Sequence, residues 1–204
     1  MVLAFIGCTL AMTAQESIHV NYKGSKPTIS DFVTAFVSSR DNDDEEDCTD
    51  EAFNALGYAW EHRRTGEPLT EGQTLTVDER NGYVSYVNRS EYEGTEDVVR
   101  IEMCYWNESD QRHKLIAYNV TCFRNGRHDP GQFDGLSFYR YDSNTKTMDR
   151  IEAPGFEVRY GTEDGAWVSY DLPRTGKNIT ETYWYQNSTK TKQKALTWNG
   201  KRFY

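Results

Sequence analysis

The chain has 204 residues, with 32 acidic against 23 basic side chains and a formal net charge of −9. A chain of this length can bury a core without a metal or a disulfide, and its charge repels phosphate backbones and anionic lipid, which sets nucleic acid aside as a partner. Aromatic residues make up 14% and half of them are Tyr; with abundant Thr, that composition favours strands over helices.

Residues 1–15, MVLAFIGCTLAMTAQ, carry no charge. They read as the apolar part of a secretory signal, with small residues near Ala14 for cleavage. The run is too short for a transmembrane segment, which must cross a hydrocarbon core of about 30 Å. Phe5-Ile6-Gly7-Cys8 resembles a lipobox, but few residues precede Cys8 and the apolar run continues past it, so no lipid anchor is expected there. The folded domain is expected over 16–204.

Ile29, Phe32, Val33, Phe36 and Val37 fall at helical spacing, and Thr28 with Asp31 makes a capping-box pair, which predicts a helix over 28–39. DNDDEEDCTDE, residues 41–51, holds eight acids in eleven positions. It lacks the glycine and the terminal Glu of a calcium loop, so it reads as a solvated connector. A second helix is expected over 50–64, capped by Thr49, with Phe53, Leu56 and Trp60 as its apolar stripe and Gly66 as its stop.

After Pro68 the period changes to two. Strands are expected at 74–79, 83–89, 98–106, 114–124, 136–142, 146–152, 167–172, 179–185 and 192–198, joined by short polar turns such as Asn81-Gly82, Asn125-Gly126 and Asn199-Gly200. Parallel pairing would need longer crossovers than these connectors provide. The expected fold class is therefore α+β: two N-terminal helices packed on a long twisted antiparallel meander of about eight or nine strands, over 73–204. A sheet that wide tends to curl or to split in two.

One phrase recurs. YRYDSNTKTMDRI at 139–151 returns as YWYQNSTKTKQKA at 183–195, with a looser copy at 105–110. Each reads as a hairpin tip: Tyr-x-Tyr enters, a polar turn reverses the chain, and Thr-Lys-Thr leaves. A ligand-binding repeat is the other possibility.

Cys48, Cys104 and Cys122 follow the leader, and no two form a CxxC pair, which gives no support to a zinc or thioredoxin motif. If 98–106 pairs with 114–124, Cys104 faces about Leu115. Cys122 then lies roughly 23 Å along the strand, so a Cys104–Cys122 disulfide, which needs Cα atoms within about 7 Å, should not form.

No GxSxG, Walker, GxGxxG, HxH or HExxH pattern is present, so no catalytic residue, metal ligand or cofactor site is assigned. Two features remain as candidate ligand-binding residues. The loop 124–135 brings Arg127, His128 and Asp129 into a stretch rich in turn residues. Tyr139, Tyr141, Tyr183, Trp184 and Tyr185 put rings on both strand faces, so one face meets the helices and the other is either a second core layer or an exposed platform.

The phrases MCYWN (103–107), HKLIAY (113–118), LSFYRYDSNTKTM, LPRTGKNITETYW and LTWNGKRF resemble exported proteins of Gram-negative gut bacteria for which no activity is established. The resemblance implies a periplasmic or surface location and carries over no catalytic residue. The expected function is that of a non-catalytic exported binding or interaction protein, with a glycan, protein or envelope partner. The alternatives are an envelope hydrolase using carboxylates of the 124–135 or 152–166 loops, and a structural assembly subunit.

Overall fold

The protein is described from a computed structural model, over residues 17–39, 50–130, 135–186 and 188–204. The leader with Cys8, the stretch 41–49 with Cys48, and Gly131 to Asp134 lie outside the described residues.

A short strand β1 (Ile18–His19) precedes helices α1 (Ile29–Ser39) and α2 (Asp50–Thr65). Thr28 caps α1, its N–H and hydroxyl both donating to Asp31 Oδ2 at 2.7 and 2.9 Å. The five apolar residues at helical spacing are all buried. Phe53, Leu56 and Trp60 of α2 are buried too, and Trp60 Nε1 donates to Thr34 Oγ1 at 3.0 Å, tying the helices together. Gly66, at φ 79°, ends α2 as a left-handed cap, its N–H donating to the His62 carbonyl at 2.9 Å.

Strands β2 (Gln73–Asp78), β3 (Tyr83–Tyr92), β4 (Thr95–Asn107), β5 (His113–Arg124), β6 (Arg127–His128), β7 (Gly135–Asp142) and β8 (Thr147–Ile151) join β1 in one eight-stranded sheet. Its order is β1-β8-β7-β5-β4-β3-β2, with β6 folded back on β5, and every pair is antiparallel. Strands β9 (Ala166–Asp171), β10 (Asn178–Tyr185) and β11 (Thr191–Thr197) form a separate antiparallel sheet of three.

The expected single meander is thus corrected to two sheets. Ile18 pairs with Met148 and His19 with Thr147, so β1 occupies the outer edge of β8 where a ninth strand would have added. The chain instead leaves β8 through Ala153-Pro154-Gly155 and returns on the opposite face from the helices. One core unites both helices with Val84, Ile101, Met103, Ile116, Val120 and Met148. A second unites Cys104, Trp106, Leu115 and Phe138 of the large sheet with Phe156, Val168, Ile179, Trp198 and Phe203. The middle of the large sheet is therefore buried on both faces, helices on one and the small sheet on the other.

The repeated phrase does mark hairpin tips, at β7–β8, β10–β11 and β4–β5. The last opens at Asn107–Lys114, so Cys104 faces Ala117 and not Leu115. The turn sets this register: Asp110 Oδ1 accepts the N–H groups of Arg112 and His113, each at 3.0 Å, and Gln111 turns at φ 59°. Cys122 faces Val99, on the helix side, whereas Cys104 belongs to the small-sheet side. The two are not joined by a disulfide, and the intervening sheet adds a second reason why they do not pair.

The segment linking the sheets is held by the C-terminal tail. Phe203 N–H donates to the Pro154 carbonyl at 2.9 Å, and a Cβ on Gly155 (φ 73°) would stand 2.4 Å from the Phe203 carbonyl oxygen. Only glycine lets the two backbones approach this closely.

Candidate functional site

The type I′ turn Asn125-Gly126, with φ 49° and 72°, folds β6 back on the end of β5 and sets His128 opposite Phe123. Arg127 then reaches the β10–β11 turn, donating to the carbonyls of Ser188 and Tyr185 at 2.9 and 3.0 Å. The rings of Phe123, His128 and Trp184 stand mutually 6.1 Å apart, centre to centre. Trp184 Nε1 donates to Ser169 Oγ at 2.8 Å, which fixes the indole. Directly across β9–β10 from Trp184 lies Trp167, on the same face and 40% exposed.

Four of the eight candidates from the sequence, Arg127, His128, Trp184 and Tyr185, therefore meet at one corner of the molecule. Asp129 sits beside them but is engaged by Arg124 Nη1 at 3.1 Å. Tyr183 points to the other face of β10, where its hydroxyl donates to Glu181. Tyr139 and Tyr141 are elsewhere: at 6% and 1% exposure they belong to the helix-side core, Tyr139 against Phe36 and Tyr141 against Phe32. They form no open platform. Trp167 was missed because its strand neighbours, Ala166 and Val168, give it no distinguishing pattern; only its pairing with Trp184, 17 residues on, brings it into the corner.

Behind this corner the edge of β9 lies on the face of β5. The outward groups of β9 are satisfied in turn. Ala166 O accepts from Thr162 N–H, Val168 N–H donates to Tyr160 O, Tyr170 O accepts from Asn119 Nδ2 at 2.9 Å, and Leu172 N–H donates to Glu102 Oε2. An edge covered in this way cannot recruit another strand. Glu102 is 3% exposed and also accepts from Tyr83 Oη at 2.8 Å, with Arg100 Nε 3.5 Å away. Burial raises the Glu102 carboxyl above its ordinary range, against the pull of Arg100 and the Tyr83 hydrogen bond. This group holds the two sheets together and offers no open face.

Glu108, Asp110 and His113, at the β4–β5 tip, hold their ligand atoms within 4.8 Å of one another, a spacing a metal could use. The charges there are already matched. Arg140 grips Glu108 through two bonds of 2.7 and 2.6 Å, His113 Nδ1 meets Asp110 at 2.5 Å, and Arg112 is bidentate on Asp142. A cation would have to displace them, so the donor set reads as a salt-bridge network. Hydrogen bonds from the His113 backbone and ring hold the Asp110 carboxyl down at about 2, and Arg112 followed by the Asn144 N–H holds Asp142 lower still. A lowered carboxyl contributes stability above its unfolded value, and that contribution is lost as pH falls through the folded one. On acidification from about pH 4 towards pH 2, the amides of Arg112, His113 and Asn144 should lose protection before the β4–β5 core, as read by NMR hydrogen exchange.

No protein family, curated protein or solved structure matches the chain. Among the described residues no helix is long and apolar enough to cross a membrane.

Proposed function

We propose that the protein is a non-catalytic, exported binding protein whose ligand surface is the aromatic corner around Trp167 and Trp184, with a glycan or another envelope component as partner. One observation carries this proposal. Trp167 leaves 40% of its surface in water beside a second indole that is hydrogen-bonded in place. Rigid, flat rings of this kind present large contact area at little cost in side-chain entropy, and they suit the C–H face of a sugar. Export is supported by the uncharged apolar leader and by the resemblance given above.

A glycan array tests the proposal. A specific sugar should bind the full chain, and Trp167→Ala should weaken binding about tenfold or more while leaving the melting temperature nearly unchanged. Binding by no glycan, or binding indifferent to Trp167, would remove it. An envelope hydrolase has less behind it: of the loop carboxylates, Asp129 is engaged by Arg124, and Glu157 by Arg159 at 2.5 Å. An assembly subunit would call for a larger apolar surface than this corner provides.

A further inference from the structure

The other face of β10 carries a largely buried carboxylate with acceptor capacity to spare. Glu181 is 4% exposed. An ionised carboxylate accepts about four hydrogen bonds, yet Glu181 receives one from the described residues, from Tyr183 Oη at 2.8 Å to Oε2. Lys194 stands opposite it across β10–β11, but its ammonium stops 3.9 Å from the same oxygen, beyond hydrogen-bond reach. Burying a charge with so few partners is costly unless something else meets it. Glu181 lines an open cleft of about 480 Å³, together with Glu152, Glu157, Arg159, Lys194 and Leu196.

The walls of this cleft are fixed in place. The loop 153–156 closes on itself through Phe156 N–H to Ala153 O at 3.0 Å and is held by the C-terminal tail. Arg159 is fastened at both backbone atoms by one hydroxyl: its N–H donates to Tyr170 Oη at 2.6 Å, and Tyr170 Oη donates to its carbonyl at 2.8 Å. A site whose parts are already ordered spends little of its binding energy on organising itself.

We propose that this cleft binds a small zwitterion, such as a free amino acid or a dipeptide, with its ammonium or guanidinium group seated on Glu181 and its carboxylate received by Lys194. Glu181 supplies the acceptor sites that lack donors. The exposed ammonium of Lys194 makes no hydrogen bond to a described residue and stands at the rim, 3.9 Å from the buried oxygen. Arg159 is bonded to Glu157 through one Nη and also feels the charge of Glu181, whereas Lys194 at the rim makes no hydrogen bond to a described residue and is the cation offered to the ligand. The site is separate from the tryptophan corner, since Trp184 and Glu181 point to opposite faces of β10.

The test is an NMR titration of the full chain, with L-arginine, L-lysine and glycylglycine as zwitterions and agmatine as the cation lacking a carboxylate, up to concentrations on the order of 10 mM. At least one zwitterion should give saturable shifts centred on the amides of Glu157, Glu181 and Lys194. Glu181→Gln should weaken its binding about tenfold, and Lys194→Gln should weaken it while leaving agmatine unaffected. The Lys194 substitution lies on an exposed side chain and keeps the test decisive if Glu181→Gln fails to fold. Absence of saturable shifts with every zwitterion, agmatine binding as tightly as arginine, or binding unchanged in the variants would overturn the proposal. The loss of glycan binding at Trp167 would have no bearing on it.

Discussion

Replacing Arg100 by methionine is expected to destabilise the protein by about 1 kcal/mol near pH 4.5 and by about 3–5 kcal/mol near pH 7.5. The smaller figure is the loss of Arg100's bonds to Asp171 and to the Tyr170 carbonyl. The larger one adds a carboxylate left buried without its cation, since the Glu102 side chain is 3% exposed and that of Arg100 25%. The sign follows from burial, which already lifts the Glu102 carboxyl above its ordinary range and lifts it further once Arg100 is gone. A raised carboxyl holds its proton more tightly in the folded state than in the unfolded one. Its cost is therefore absent below about pH 4 and grows as pH climbs towards the folded value. Urea unfolding at the two pH values reads this directly. Adding Glu102→Gln to the Arg100→Met chain should recover most of the neutral-pH loss, because no charge is then left behind. A cost independent of pH, or no recovery in the double variant, would mean that Glu102 is not the buried partner of Arg100.

Phe32→Ala should cost about 3–5 kcal/mol, the range for removing a large ring from a closed core. Phe32 is fully buried and meets Tyr105 and Tyr141 edge-on, at centre distances of 5.5 and 5.1 Å. Those contacts join α1 to both the β4–β5 and the β7–β8 hairpins, so the cavity opens at the seam between helix and sheet. For a chain of this size the melting temperature should fall by about 10 °C. A fall of only about 2 °C would show that α1 does not close this face of the sheet.

The strands were legible because each alternates and each is bounded by turn residues; nine were expected, and all nine occur within a residue or a few of their expected ends. The two-residue strands β1 and β6 were not legible, since so few residues carry no period. How the strands divide between sheets was also hidden. It depends on β1 reaching the edge of β8 from over a hundred residues away, a contact that leaves no local trace. Some signs of two-sided burial were present. In LSFYRY, Leu136 and Phe138 face one way while Tyr139 and Tyr141 face the other, and both sets are apolar or aromatic. A strand with water on one face would alternate more sharply. Glu102, set between Ile101 and Met103, was another sign, because an acid flanked by apolar residues in the middle of a strand needs a buried partner.

The candidate site was half legible. Arg127 and His128 were marked by their turn-rich loop, and Trp184 and Tyr185 by their density of rings, but nothing in the sequence says that β6 and the β10–β11 turn touch. Tyr139 and Tyr141 share their phrase with Tyr183 and Tyr185 and yet lie in the helix-side core. The phrase encodes a hairpin tip, and which side of it meets water is decided by what packs there.

Hydroxyl-radical footprinting read by mass spectrometry tests most directly whether the middle of the large sheet is closed on both faces while the corner around Trp167 stays open. Strong labelling of Trp167, weaker labelling of Trp184, and protection of Tyr139, Tyr141 and Trp198 are expected. Labelling of Tyr139 and Tyr141 at a level comparable to Trp167 would contradict that closure.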